Sequence, residues 1–150
     1  MKVFRMRRVD RSALVPYSPQ QMFALVTDIE SYPEFVPWVA DAELVERTSD
    51  QVIGKLQMER AGIRETFTTR NTLRPPHEIV LTLVNGPFRK LEGIWKFDDL
   101  RGRGTRVALS IEFEFANAML SFMLSRTFEK SCGELVDAFV ARARSVYGIT

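Results

Sequence analysis

From residue 42 to residue 115 apolar and polar side chains alternate with a period of two, and turn chemistry interrupts the alternation about every 8 to 15 residues. Successive side chains of a strand point to opposite faces of its sheet. A pattern this long therefore predicts an antiparallel meander with one buried and one wet face. Six strands fit, near 42–47, 51–60, 64–73, 78–85, 88–98 and 105–115. The turns fall at Ser49-Asp50, Ala61-Gly62, Pro75-Pro76, Gly86-Pro87 and Arg101-Gly102-Arg103-Gly104. In the last strand Thr105, Val107, Leu109, Ile111, Phe113 and Phe115 share one face, opposite Arg106, Ser110, Glu112 and Glu114. In the strand before it Leu91, Gly93, Trp95 and Phe97 oppose Lys90, Glu92 and Lys96. Both inner faces are rich in rings.

The flanks complete an α+β chain. Residues 6–15 read as a further strand closed by Pro16, and Arg7, Arg8, Asp10 and Arg11 suit it to a sheet edge. Ser18-Pro19-Gln20-Gln21 is a helix start: Ser18 can cap, Pro19 suits the first helical position and Gln21 can bond back to the cap. Met22, Phe23, Leu25, Val26 and Ile29 follow at helical spacing, so a first helix runs to about Asp28. Pro33 and Pro37 then permit one short helical turn and an aromatic loop. Residues 117–147 lack proline and predict a helix of about thirty residues, roughly 45 Å long, stopped by Gly148. Phe128, Cys132, Leu135, Val136, Phe139, Ala143 and Val146 form its buried stripe. Residues 118–124 are apolar around the whole circumference and call for a cover. With no repeat or linker in sight, residues 1–150 read as one domain.

One histidine and one cysteine limit the chemistry. Nucleophilic catalysis needs a base beside its nucleophile. His77 falls in an expected turn and Cys132 on the expected buried stripe. A zinc site cannot be assembled from these counts, and no catalytic residue, metal or catalytic cofactor is expected. Glu112 with Glu114, and Asp98 with Asp99, read as solvated charges. The formal charge of +2 is too small to argue for nucleic acid, and DNA is not an expected partner. Two local groups, Arg5, Arg7, Arg8 and Arg11, and Arg60, Arg64, Arg70 and Arg74, are either solvated strand faces or a surface for RNA or anionic lipid. The basic start lacks the apolar core of a secretory signal. No stretch reaches the roughly 18 apolar residues of a spanning helix. The expected place is the cytoplasm, with peripheral contact to the inner membrane open through 118–124. Eleven Phe, two Trp and three Tyr supply enough ring surface for either a packed aromatic core or a lined cavity.

The order strand, helices, six strands, long helix resembles the helix-grip fold of the START/Bet v 1-like, polyketide-cyclase-like superfamily. Val15-Pro16-Tyr17-Ser18-Pro19, DIESYPEFVPW from Asp28 to Trp38, Gly86-Pro87-Phe88 with LEGIWKF from Leu91 to Phe97, and Glu112-Phe113-Glu114-Phe115 are similar to the coenzyme Q-binding family. So is the ending, with Val136-Asp137-Ala138-Phe139, Arg142-Ala143 and Tyr147-Gly148. The ribosome association toxins belong to the same group. Many members carry Cys after the Pro-Trp pair, where this chain has Val39, so no role follows from a thiol there. The resemblance implies a seven-stranded antiparallel sheet wrapped around a long C-terminal helix, with two short helices after the first strand. It implies a binder of ubiquinone or a similar isoprenoid lipid that supports respiration or quinone synthesis. Its alternative is a protein that binds the large ribosomal subunit and blocks subunit joining. A cavity lined by rings and methionines suits the first, and Phe35, Trp38, Phe67, Leu91, Trp95, Phe113, Met119, Met123, Phe128 and Leu135 are the expected lining. An aromatase or cyclase would need acid/base groups at inward strand positions, which offer few.

Overall fold

The computed structural model describes residues 6–148, so Arg5 lies outside the described residues. In chain order the elements are β1 (Arg7–Val15), α1 (Pro19–Thr27), a 3-10 helix (Ile29–Glu34), β2 (Val39–Arg47), β3 (Gln51–Arg60), β4 (Ile63–Arg74), β5 (Glu78–Asn85), β6 (Phe88–Asp99), β7 (Thr105–Phe115), α2 (Ala118–Gly133) and α3 (Leu135–Tyr147). The seven strands form one antiparallel sheet in the order β1-β7-β6-β5-β4-β3-β2. Five hairpins run along the sheet from β2 to β7, and β1 pairs with β7. Consecutive strands β1 and β2 thus lie at opposite edges, and the segment between them must cross the open side of the sheet. It does so as α1, started by the expected box: Gln21 N donates to Ser18 Oγ at 3.1 Å and Ser18 N to Gln21 Oε1 at 2.9 Å. This is the helix-grip arrangement.

Period two governs burial as the pattern requires. On β7, Thr105, Val107, Leu109, Ile111, Phe113 and Phe115 are all buried. Register shifts in β2 and at the start of β6 add curvature. Two ring clusters fill the concave side. Phe88, Phe113, Phe115 and Phe128 pack at one end, with Phe113 and Phe128 edge to face at 4.8 Å. Trp95, Phe97, Phe139, Tyr32 and Phe35 pack at the other. Glu114 departs from the expected solvated face: it is buried, with Arg89 Nε 3.3 Å from its carboxylate.

The C-terminal helix is bent rather than straight, breaking between α2 and α3 at Gly133-Glu134. Small and hydroxyl residues are where helices bend, and here Ser131 Oγ donates back to the Thr127 carbonyl at 2.8 Å. Two guanidiniums reach the break from different strands. Arg60 of β3 donates to Ser131 Oγ at 3.1 Å and to Glu134 Oε1 at 2.8 Å. Arg11 of β1 lies over Gly133, where an added Cβ would stand 3.0 Å from its Nη2. Positive charge is favoured beside the free carbonyls at the end of α2, and Glu134 and Asp137 suit the start of α3.

One glycine closes the β1 edge. Gly104 has φ +141°, and a Cβ there would lie 2.1 Å from the Val15 carbonyl oxygen, whereas at Gly102, φ +78°, it would meet open space. Gly104→Ala should therefore lower unfolding free energy by about 2 kcal/mol or more, and Gly102→Ala by about 1 kcal/mol. Urea denaturation of the two variants checks the order.

Candidate functional site

Between the concave face and the bent helix lies a cavity of about 80 Å³. Leu56 of β3, Phe67 of β4, Leu81 of β5, Leu91 and Trp95 of β6 and Ile111 of β7 supply the sheet side. Val26, Ile29, Tyr32 and Trp38 come from the crossing segment, and Phe128, Cys132, Leu135 and Phe139 from the helix. Two strand-interior glycines keep the sheet side low. A Cβ on Gly93 would meet Leu81 Cδ1 at 3.1 Å and Ile111 Cγ1 at 3.2 Å, and one on Gly54 would meet Ile29 Cδ1 at 2.5 Å. Glycine within a strand often marks such a close approach.

Six of the ten expected lining residues, Trp38, Phe67, Leu91, Trp95, Phe128 and Leu135, meet on this wall. The other four lie elsewhere. Phe35 packs outside it against Phe139 at 5.1 Å, beneath the Arg142 guanidinium at 4.9 Å. Phe113 is fully buried behind Phe128, because α2 packs straight onto β7 there. Met119 and Met123 face outward, 72% and 56% exposed, and Phe122 between them is 90% exposed. Of the segment expected to need a cover, Leu124 is buried and Leu120 half-buried against the core, while Met119, Phe122 and Met123 have no cover within the described residues.

Thr69 and Asn71 of β4 are polar wall residues outside the expected lining. Counting by two from Phe67 places both on the inner face, so the signal was present. Thr69 Oγ1 donates to Asn71 Oδ1 at 2.8 Å, and Asn71 is only 6% exposed. Glu92 also borders the space but belongs to the outer face of β6, with its side chain largely exposed. Tyr32 donates its hydroxyl to the Val26 carbonyl. Burial raises the Tyr32 phenol, and burial followed by the nearby Glu129 raises the Cys132 thiol, so both stay neutral. A neutral buried thiol is a poor nucleophile. His77 sits exposed in the β4–β5 turn, its Nδ1 3.3 Å from the Phe97 carbonyl. Among the described residues no three His, Cys, Asp or Glu side chains stand together as metal ligands, and no helix is long and apolar enough to cross a membrane.

The arginine groups are largely occupied. Arg7 pairs with Glu129 at 2.6 Å, Arg8 with Asp10 and Glu112, Arg60 with Glu134, Arg64 with Glu59 and Arg74 with Glu78. Most are exposed pairs, each worth roughly 0–1 kcal/mol. They shape a mixed surface rather than a positive one.

Cys132, the chain's one cysteine, reports on this cavity. Its modification by a thiol reagent at neutral pH should be about a hundredfold slower than that of a free thiol, and should accelerate in Arg60→Ala if α2 is released. Absorbance of the released chromophore measures both rates.

Residues 15–140 match the model of the polyketide cyclase / dehydrase and lipid transport family. The chain is 41% identical over 142 residues to the ribosome association toxin RatA of Escherichia coli (strain K12), covering 95% of this chain and 90% of that protein. It is 26% identical over 141 residues to the mitochondrial coenzyme Q-binding protein COQ10 homolog B of Xenopus laevis, covering 91% and 58%. The crystal structure of the Streptomyces ZhuI aromatase/cyclase superposes with a TM-score of 0.84 at 21% identity over 95% of this chain and 96% of that one, a likeness of fold. The chain belongs to the polyketide cyclase/dehydrase and lipid transport family.

Proposed function

We propose that this family member is a non-enzymatic carrier that takes ubiquinone, or an isoprenoid lipid of similar shape, into the cavity beneath the bent helix, supporting respiratory electron transport or quinone synthesis. The observation that carries the reading is the wall, where rings and aliphatic groups from five strands face Phe128, Leu135 and Phe139 of the helix. A flat quinone ring suits such a wall. The coenzyme Q-binding relative supports the same ligand class. Against an enzyme stand the neutral Cys132, the distant turn position of His77, and a wall whose inward polar side chains, Thr69, Asn71 and Tyr32, hold no carboxylate or imidazole.

Size decides how the ligand enters. Ligand sites usually span about 300–1,000 Å³, and this cavity holds about 80 Å³. The loaded form must be wider. α2 is the element suited to move, since it has its own break from α3 and its first turns expose Met119, Phe122 and Met123. That apolar face is the part we assign to peripheral contact with the inner membrane from the cytoplasmic side. Two aspartates, Met119→Asp with Phe122→Asp, should cut flotation with liposomes at least about tenfold, because burying a charge in the bilayer boundary costs more than the contact returns. Unchanged flotation would remove the docking role.

The second reading, association with the large ribosomal subunit and a block of subunit joining, is favoured by the 41% identity to RatA over nearly the whole chain. It would draw on basic residues outside the ion pairs, such as Arg70 and Arg106, and would give steeply salt-dependent sedimentation with that subunit. Tryptophan emission separates the two, because Trp38 and Trp95 both line the cavity. A short-tailed ubiquinone should quench it saturably, and more weakly in Trp95→Ala. Absence of quenching, with co-sedimentation of protein and large subunit, would replace the carrier reading by the ribosomal one.

A further inference from the structure

Asn71 is about nine-tenths buried in the middle of an apolar wall. A side-chain amide in such a place ordinarily has its hydrogen bonds met. Its Oδ1 accepts the Thr69 hydroxyl at 2.8 Å, which turns the amide carbonyl toward Thr69 and leaves the amide nitrogen on the other side. Among the described residues the Asn71 nitrogen donates to nothing. No fully enclosed side-chain polar atom lacks a partner among the described residues, so this nitrogen borders open space. The same holds for the indole N–H groups of Trp38 and Trp95, both on the wall and neither hydrogen-bonded among the described residues. The remaining inward hydroxyls are spoken for: Thr69 donates to Asn71, and Tyr32 donates to Val26.

The three nitrogens are donors with no accepting capacity, since an amide NH₂ and an indole N–H only donate. A ligand group lying against them must bring lone pairs. A plain hydrocarbon would leave them desolvated and unmatched, which is the expensive outcome for a buried polar group. We infer that Asn71, oriented by Thr69, is the hydrogen-bond donor by which the cavity selects an apolar ring bearing a carbonyl oxygen over a ring of the same size without one. This inference rests on the carrier reading and adds to it the polar chemistry of the ligand and the residue that reads it. A hydroxyl-bearing ring keeps acceptor lone pairs but must place its own O–H groups, for which the apolar wall offers few partners. The quinone form is therefore preferred to the quinol.

Two ring probes isolate the carbonyl: duroquinone and durene share a tetramethyl six-membered ring and differ by the two oxygens. Duroquinone binding is read from quenching of Trp38 and Trp95 emission, and durene binding from its competition with duroquinone. For the wild-type chain the expected order is duroquinone tighter than durene by about tenfold or more. In Asn71→Leu, similar in size but without the donor, duroquinone should weaken about tenfold while durene is unchanged or tighter. Thr69→Val, which frees the Asn71 amide to rotate, should weaken duroquinone by a smaller factor with durene again unmoved, and guards against a disturbance of the core by the leucine of the first variant. Equal duroquinone affinity in the wild type and both variants would overturn the role of Asn71 and leave the carrier reading standing. Failure of the wild-type chain to bind either ring would overturn both.

Discussion

The bend at Gly133-Glu134 is the constraint on which the arrangement depends. A strongly curved sheet offers a concave face, and one straight helix could touch that face only along part of its length. Breaking the helix lets α3 pack against α1 while α2 lies across β1 and β7 beside the Phe88–Phe128 ring cluster. Local sequence permits the break through Ser131 and Gly133, but the groups that hold it come from far along the chain. Arg60 spans Ser131 and Glu134, and Arg11 lies over Gly133. Both guanidiniums face the carbonyl end of α2, where cations are favoured. Arg60 also holds the Glu134 carboxyl below the usual carboxylate range, so the tie is present at neutral pH and weakens only as acid protonates that carboxyl through its lowered value.

The cavity is a consequence of that geometry. Gly54 and Gly93 remove side chains from the middle of β3 and β6 where the helix spans the sheet, and the rings on either side are too well packed to fill the gap. The space that remains is small, apolar on nearly every side, and bordered by Asn71, Trp38 and Trp95. Its inward polar side chains hold no carboxylate or imidazole, and the ring with an accepting oxygen is the ligand proposed for it. The relation to ZhuI is then one of shared architecture, with the chemistry set by the side chains inside it.

Much of the fold was legible because turn residues and side-chain period agreed. β3 begins and ends, and β7 begins, where Ser49-Asp50, Ala61-Gly62 and Arg101 to Gly104 say they should. The capping box at Ser18 and Gln21 formed as its spacing implied. The bend was not legible, since a single Gly133 on a helical stripe is ordinarily tolerated and its partners lie on β1 and β3. The wall was half legible. Trp95 and Leu91 follow from strand phase, whereas Met119 and Met123 read as lining because methionines suit a pocket for a flexible isoprenoid tail. Their outward placement is fixed by the rotation of α2 on β7, which no local pattern encodes. Thr69 and Asn71 share the phase of Phe67, and their polarity hid them. Glu114 misled in the opposite direction, its burial depending on Arg89 of the neighbouring strand.

The proposed carrier role requires a quinone-type lipid in this cavity. The most direct measurement is organic extraction and mass spectrometry of the full chain purified under mild conditions from its own host. Ubiquinone, or the host's equivalent isoprenoid quinone, is expected at close to one molecule per chain. A protein that yields no lipid, although purified from cells that make the quinone in quantity, would contradict it.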